Sequence, residues 1–204
     1  MHMDKEINNN GYDYVDLELP SGTLWAACNV GAKKSTDYGL YFQWGDTKGY
    51  AKEQIGKDKP FSKDKYKWNI KGCDKHFIKY TTEAAILDFE DDAAHVHMGG
   101  SWHMPTPNQI KELIDNTESS LTAQNGVMGM EFTSKNGKSI FIPAAGEAWD
   151  GVVCYDGLYG CLWSSMVSSL ANCYSQYLYF DLWGAKLYYG RERWLGMSVR
   201  GVIG

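Results

Sequence analysis

Short apolar segments separated by turn-forming residues run through most of this chain, and they limit the folds it can adopt. Val15, Leu17 and Leu19 alternate with polar residues on one face of a predicted strand, and a Pro-Ser-Gly turn follows them. A second segment begins at Leu24, and a third covers residues 41–45. Alternation over so few residues predicts short antiparallel strands.

Two Asn-Gly pairs mark turns in the middle of the chain. The pair at 136–137 lies between apolar segments at 128–132 and 139–143. It is the strongest hairpin signal in the sequence, because asparagine and glycine accept the positive φ angles of a type I′ turn. The pair at 125–126 predicts a further turn. After these segments, the sequence is typical of short strands joined by loops.

Two helices are predicted among these strands. Residues 83–97 are rich in alanine around an acidic run. The second helix has a defined start, since Thr106 is an N-cap, Pro107 takes the first helical position and Gln109 completes a capping box. Apolar residues then recur at helical spacing over 110–114. The sum is an α+β protein of short antiparallel strands, two helices and long loops.

The composition is that of one globular domain, with 204 residues, 44% hydrophobic side chains and a net charge of −5. We predict this domain over residues 11–204, after an added start and polar linker at residues 1–10. The acidic balance disfavours a nucleic acid partner. No apolar run approaches the roughly 20 residues of a membrane span, so direct membrane insertion is not expected.

Residues 46–80 contain ten of the seventeen lysines, interleaved with acidic residues and isolated aromatics. Basic segments that carry aromatics bind single-stranded nucleic acid in some proteins, but here the acidic residues dilute the charge. We therefore predict a long, solvated loop excursion with little regular structure.

No group of residues predicts catalysis. The five cysteines form no CxxC pair, which disfavours a zinc site, although one disulfide within 154–173 stays open. His95 and His97 would point to different faces of a helix. Ser101 lacks the glycine two places later that a nucleophile elbow requires. We predict no catalytic residue, no metal and no cofactor.

Large amphipathic side chains are concentrated near the C-terminus, where all three arginines fall within the last fourteen residues. A strand over 177–183 would place Leu178, Phe180 and Leu182 on a core face. Its other face would carry Tyr177, Tyr179, Asp181 and Trp183. Tyrosine, tryptophan and arginine are enriched at binding hot spots, which favours a binding surface. The alternative is that these aromatics cover a sheet face beneath loops.

Six segments resemble the Fibrobacter succinogenes major paralogous domain family, and they span nearly all of residues 12–203. The segments are VDLELPSGTLWAACNVGA (15–32), YGLYFQWGD (38–46), EDDAAHVHMGGSWHMPT (90–106), NGKSIFIPAAG (136–146), LWSSM (162–166) and RERWLGMSVRGV (191–202). The resemblance implies a C-type-lectin-like fold related to formylglycine-generating enzymes, in a family abundant in gut Bacteroidetes and their phages. Some members are variable proteins of diversity-generating retroelements, in which adenine-directed mutagenesis rewrites codons near the 3′ end.

The chain departs from the family near its C-terminus. Cys161 and Leu162 stand where the family usually has paired tyrosines, and Gly201 replaces the proline of the closing motif. The resemblance assigns to the constant frame Trp163, Ser164, Ser165, Arg193, Gly196, Ser198, Val199 and Arg200. A variable region over residues 155–195 would supply these ligand contacts: Tyr159, Cys161, Leu162, Asn172, Tyr174, Gln176, Tyr179, Asp181, Trp183, Lys186, Tyr188, Tyr189, Glu192, Trp194 and Leu195.

The resemblance implies a non-enzymatic ligand-binding protein, a receptor or adhesin on a cell surface or phage particle. Its partner would be a protein or another surface macromolecule. One alternative is a structural or assembly module of a surface or secreted protein, with the aromatics buried against a neighbour. Another is an enzyme of the formylglycine-generating type, which would need a reactive cysteine pair from Cys154, Cys161 and Cys173.

Overall fold

The computed structural model describes residues 6–70 and 77–204, with residues 6–9 as backbone only. This part of the chain is a mixed α+β structure, made mostly of antiparallel strands. Its strands are β1 (Glu6–Asn9), β2 (Tyr12–Asp16), β3 (Leu24–Asn29), β4 (Tyr41–Phe42), β5 (Thr117–Gln124), β6 (Val127–Ser134), β7 (Ser139–Pro143), β8 (Glu147–Trp149), β9 (Val152–Cys154), β10 (Gly160–Val167), β11 (Tyr174–Asp181), β12 (Gly184–Glu192), β13 (Met197–Ser198) and β14 (Arg200–Ile203). Its α-helices are α1 (Lys52–Asp58), α2 (Ala93–Met98) and α3 (Pro107–Asn116). None of these helices is long and apolar enough to cross a lipid bilayer.

The described strands form four sheets. The first has the order β1-β2-β3-β14, so the last strand pairs with a strand near the start of the chain. The second has the order β12-β11-β10-β13-β4 and carries the C-terminal aromatic residues. β5-β6-β7 and β8-β9 form the two smaller sheets. Residues 6–9, expected to be linker, form β1, while residues 1–5 lie outside the described residues.

Arg200 fastens β14 to its neighbours from inside the protein. Its side chain is fully buried, and its nitrogens donate to Asn29 Oδ1 at 2.8 Å, to the Ala26 carbonyl at 2.9 Å and to the Phe141 carbonyl at 3.0 Å. Burial lowers the pKa of the guanidinium to about 10, so it stays charged at neutral pH. Arg200 is therefore a structural residue that links β14 to β3 and β7.

The glycine at position 201 has a packing reason. A Cβ added there would lie 2.7 Å from Met98 Sδ and 3.0 Å from the Trp102 ring. Any side chain at position 201 would meet the same atoms, so the glycine accompanies the close approach of α2 to β14.

The helix predicted to begin at Thr106 is confirmed. The Gln109 backbone N–H donates to Thr106 Oγ1 at 3.3 Å, and the Thr106 N–H donates to Gln109 Oε1 at 2.9 Å. This is the reciprocal capping box that the sequence predicts, and it fixes where α3 starts.

The helix predicted over 83–97 is mostly wrong, because this range contains only a short 3₁₀ helix at Phe89–Asp91 and most of α2. The preceding residues pair with the end of β10 instead. The Leu87 N–H donates to the Ser165 carbonyl at 2.9 Å, and the Val167 N–H donates to the Ala85 carbonyl at 2.8 Å. These long-range bonds take the place of helical ones, so alanine content alone misled the prediction.

Both Asn-Gly pairs form turns, but of different types. The predicted hairpin of β6 and β7 is confirmed, yet only Gly137 has a positive φ there, so its type I′ assignment is wrong. Asn136 Oδ1 instead accepts from the Lys138 N–H at 2.8 Å. The type I′ geometry occurs at Asn125 and Gly126, with φ of 50° and 80°.

The second sheet is buried on both faces over most of β10 and β11, while Tyr174, Tyr179 and Asp181 of β11 stay partly exposed. Leu178 and Phe180 pack on one side with α3 and the β5-β6-β7 sheet. Trp163 and Tyr177 pack on the other side with aromatic residues of the lysine-rich segment. The described part of this segment has little regular structure, as predicted, but it is not simply solvated. It contains α1 and buries Phe61, Tyr66, Trp68 and Phe77, while most of its described lysines stay exposed; residues 71–76 lie outside the described part.

Candidate ligand-binding face

Five tyrosine rings form a continuous row on the second sheet and its adjoining loop. We call them the tyrosine cluster: Tyr155, Tyr159, Tyr177, Tyr179 and Tyr188. Successive ring centroids lie 5.1 Å (155–159), 5.2 Å (159–179), 5.3 Å (179–188) and 5.6 Å (188–177) apart. Such separations are typical of favourable aromatic pairs. The contacts therefore hold each ring against the next.

The register of β11 and β12 explains why the row forms. Tyr177 pairs with Tyr188, and Tyr179 pairs with Lys186. Directly opposed residues project to the same face of a sheet, so these side chains lie side by side. Tyr159 joins them from the loop before β10, where its ring contacts that of Tyr179.

The predicted core face of β11 is confirmed at Leu178 and Phe180 but wrong at Leu182. Leu182 is 66% exposed. Asp181 pairs with Gly184, so β11 has already ended and residue 182 lies in the turn to β12. Turn residues leave the alternation of the strand, which is why the pattern failed there.

Trp183 lies in the same turn and is 82% exposed. The Asp181 carboxylate accepts from the Trp183 backbone N–H at 2.8 Å and from the Tyr179 hydroxyl at 3.0 Å. Asp181 thus ties the turn to the tyrosine cluster, and the two form one connected surface.

A depression of about 310 Å³ opens within the cluster, and we call it the tyrosine cup. Its lining is Glu147, Tyr155, Tyr159, Cys161, Tyr177, Tyr179 and Arg191. Arg191 Nε donates to Glu147 Oε2 at 2.9 Å, and Nη2 donates to Oε1 of the same carboxylate. The Glu147 side chain is 4% exposed and that of Arg191 is 38% exposed, so the pair anchors β12 to β8 from below.

The cup disfavours ionised phenols and thiols. Burial, followed by the charge of Glu147, raises the pKa of Tyr159. Burial and a hydrogen bond to Asp181 raise the pKa of Tyr179 to about 12. Burial raises the pKa of the Cys161 thiol, so a thiolate nucleophile is not favoured there. The Glu147 carboxylate raises the pKa of Arg191. At neutral pH the cup therefore presents neutral tyrosines beside a charged ion pair.

Arg193 is a buried structural residue just after β12. Its side chain is fully buried, and its guanidinium lies 4.4 to 6.0 Å from the ring centroids of Trp44, Phe77, Tyr66, Trp68 and Tyr80. It donates to the Tyr66 hydroxyl at 2.9 Å and to the carbonyls of Asn172 at 2.9 Å, Tyr80 at 3.2 Å and Lys79 at 3.3 Å. Arg193 thus links the ends of β11 and β12 to the lysine-rich segment.

The structure brings together about half of the candidate contacts. On or beside the tyrosine cluster lie Tyr159, Cys161, Tyr179, Asp181, Trp183, Lys186 and Tyr188. Cys161 is buried and contributes only to the cup floor. Partly or fully accessible but outside the row are Asn172, Tyr174, Tyr189, Glu192 and Trp194.

Several of these have other partners. Asn172 Nδ2 donates to the Thr81 carbonyl at 2.9 Å. Lys63 Nζ lies 5.7 Å from the Trp194 ring centroid.

Three candidate contacts are corrected because they lie in the interior. Leu162 and Leu195 are core residues of the two apolar clusters. Gln176 is buried, and its Nε2 donates to the Val167 carbonyl at 3.4 Å. We exclude all three from the candidate face.

Four residues of the cup were missed as candidate contacts from the sequence. Tyr177 and Tyr155 could have been found, the first from its alternation with Tyr179 and the second from its place in the 155–195 region. Glu147 and Arg191 are 44 residues apart, and no local pattern links them.

Other chemically active groups are already engaged. Oxygens of Asp88, Glu90 and Asp91 come together, but Lys79 Nζ lies 2.9, 3.1 and 2.5 Å from them. An ammonium group therefore holds the position that a cation would take. None of the four described cysteines forms a disulfide, so the bridge left open within 154–173 is not formed.

No family model, no curated protein and no solved structure matches this chain. The family resemblance of the sequence motifs therefore stays a prediction.

Proposed function

We propose that this protein binds a macromolecular partner, without catalysing a reaction, through the tyrosine cluster and the adjoining turn at residues 182–183. The observation that carries the proposal is the row of contacting tyrosine rings together with the exposed Trp183. Of this row Tyr155 and Tyr188 are exposed, Tyr159 and Tyr179 are partly exposed, and Tyr177 is buried. Tyrosine and tryptophan offer large contact areas at a low cost in conformational entropy. Because the rings already hold each other, little ordering is needed on binding.

We further propose that the chain is a member of the Fibrobacter succinogenes major paralogous domain family with a C-type-lectin-like fold, and a variable protein of a diversity-generating retroelement. The pairing of β14 with β3 supports this fold, because it closes the chain ends together. Arg193 and Arg200, assigned to the constant frame, are fully buried, whereas Trp183 and Tyr188 are exposed. Exposed positions can vary without loss of the core, as such a protein on a cell surface or phage particle would require.

A binding screen tests the proposal. Purified surface proteins of gut bacteria would be screened against the wild type, and each binder retested with the triple variant Tyr159→Ala, Tyr179→Ala, Trp183→Ala. We expect affinity to fall at least about 30-fold, since loss of a hot spot costs about 2 kcal/mol or more.

The matched control, Tyr12→Ala, Ile78→Ala, Phe89→Ala, removes exposed side chains outside the candidate contacts. This control should bind as the wild type does. Full affinity in a folded triple variant, or equal losses in both variants, would show that the face is not the binding site.

A second candidate function is favoured by one further observation. Trp149, Val152 and Leu158 are each more than half exposed on the β8-β9 hairpin and the loop after it, close to Tyr155. Such a group is typical of an assembly interface, which would make the protein a structural module. Sedimentation over a wide concentration range separates the functions. The assembly module predicts self-association that Trp149→Ala and Leu158→Ala abolish, whereas the receptor function predicts that these two substitutions leave the sedimentation unchanged.

A further inference from the structure

One buried tyrosine of the cup carries an unused hydroxyl. Tyr177 lines the cup and is 8% exposed, yet no described residue forms a hydrogen bond with its hydroxyl. Its ring contacts those of Tyr188 and Trp163, with centroids 5.6 and 6.3 Å away. Burial raises the pKa of Tyr177, so at neutral pH the hydroxyl is a protonated donor. Buried polar groups are nearly always hydrogen-bonded, so an unused one in the wall of an open cup indicates a ligand atom.

Arg191 brings a second unused donor to the same cup. Its Nε and Nη2 donate to Glu147, whereas its Nη1 donates to no described residue and lies 3.6 Å from Glu192 Oε2. The Arg191 side chain is 38% exposed, and its charge acts on the Tyr177 phenol, so the two donors are close in space. Together they are suited to one acceptor oxygen.

The charges around the cup favour a neutral ligand. In the lining the charges of Glu147 and Arg191 cancel, and beside the lining Asp181 and Glu192 outnumber Lys186. The exposed charge of the lining is that of Arg191, which disfavours a cation, and a further carboxylate would add to the excess of negative charge. An apolar side chain would cover both unused donors without satisfying them.

We propose that the tyrosine cup binds a carboxamide, the side chain of an asparagine or a glutamine on a protein partner. The inference rests on the proposed function, because it names a group that the binding face recognises. A carboxamide is neutral, its oxygen accepts two hydrogen bonds and its nitrogen donates two. The oxygen would accept from the Tyr177 hydroxyl and from Arg191 Nη1, and the nitrogen would donate to the Tyr155 hydroxyl, which is bonded to no described residue. At about 310 Å³, about ten times the share of one water molecule in the liquid, the cup has room for one such side chain.

Small amides test the cup without any partner. N-acetyl-glutamine methylamide would be titrated into the protein and followed through ring-labelled tyrosine NMR signals. We expect saturable shifts of the cluster tyrosines, with a Kd of about 10 mM. The glutamate, lysine and alanine analogues are the anionic, cationic and backbone-only probes, and each should bind at least about fivefold more weakly. No saturation with the glutamine analogue, or another analogue that binds as tightly, would overturn the proposal.

Tyr177→Phe removes the unused donor and keeps the ring. It should weaken the glutamine analogue at least about threefold, because the carboxamide oxygen loses one of its donors. The Tm should stay within about 2 °C of that of the wild type, since the hydroxyl has no partner to lose in the free protein. Tyr189→Phe, which changes an exposed tyrosine of β12 outside the cluster, is the control and should leave probe binding unchanged. Equal probe binding by Tyr177→Phe and the wild type, or a larger fall in Tm, would show that the hydroxyl is not held ready for a ligand.

Failure of the cup and failure of the binding face give different results. If a partner loses affinity for the alanine triple variant but binds Tyr177→Phe as it binds the wild type, the cup proposal is wrong and the proposed function stands. If the triple variant binds its partner fully, the proposed function is wrong, and the probe titration still decides whether the cup takes a carboxamide.

Discussion

Arg193→Met is the substitution whose cost the structure defines most directly. Arg193 is fully buried, and no carboxylate is among its hydrogen-bond partners. Its charge is balanced by five aromatic rings and four neutral acceptors. Methionine fills part of the space but offers no donor, so three carbonyl oxygens and the Tyr66 hydroxyl lose a partner.

The expected loss of stability follows from opposing contributions. Each acceptor left buried without a partner costs about 1–3 kcal/mol, and a desolvated cation–π contact contributes about 2 kcal/mol. The variant no longer has to desolvate a charge on folding, which saves several kcal/mol and offsets most of this loss. We expect a net decrease of about 3 kcal/mol in the free energy of unfolding, which lowers the Tm by about 6–12 °C for a chain of this length.

Urea unfolding followed by circular dichroism, with thermal melts in parallel, measures this loss. Lys186→Met is the control, since it also exchanges a cation for methionine but at an exposed position of β12. It should change stability by less than about 0.5 kcal/mol. If Arg193→Met lowers the free energy of unfolding by less than about 1 kcal/mol, this guanidinium does not hold the ends of β11 and β12 to the lysine-rich segment.

Three further predictions concern packing, capping and titration. Gly160→Ala should destabilise the protein by about 1–3 kcal/mol, because a Cβ there would lie 2.0 Å from the Phe180 ring; a melting curve equal to that of the wild type would contradict this packing. Thr106→Ala should cost about 1 kcal/mol in urea unfolding through loss of the α3 cap, while Thr106→Ser should restore most of it. Tyr179 has a pKa of about 12 in the folded state, above its ordinary 10.0, so its contribution is complete below pH 10 and is lost as the pH rises toward 12. Tyr179→Phe should therefore lose less stability than the wild type between these pH values, and identical pH profiles would be inconsistent with the raised pKa.

Local signals in the sequence predicted the elements that depend on neighbouring residues. The start of α3 is encoded by Thr106 and Gln109 within a single turn, and the β6-β7 hairpin by an Asn-Gly pair between alternating segments. The inward positions Leu178 and Phe180 followed from strand alternation. In each case the information lies within a few residues of the element.

Elements that depend on distant partners were predicted poorly. Residues 85–87 pair with β10, about 80 positions along the chain, and so do not form the predicted helix. The lysine-rich segment is ordered by aromatic residues that surround Arg193, more than 100 positions away. The same limit applies to the site. The ion pair of Glu147 and Arg191 joins β8 to β12, and its two residues are 44 positions apart, so no local sequence pattern predicts it.

The proposed function requires that the tyrosine cluster and the turn beside it form the surface that binds partners. Deep sequencing of this locus across a population that carries it, together with any near-identical repeat beside a reverse transcriptase, tests this requirement. We expect adenine-directed substitutions confined to exposed positions such as Tyr155, Trp183 and Tyr188, and none at the buried Arg193. An unvarying locus, or substitutions as frequent at buried positions as at exposed ones, would contradict it.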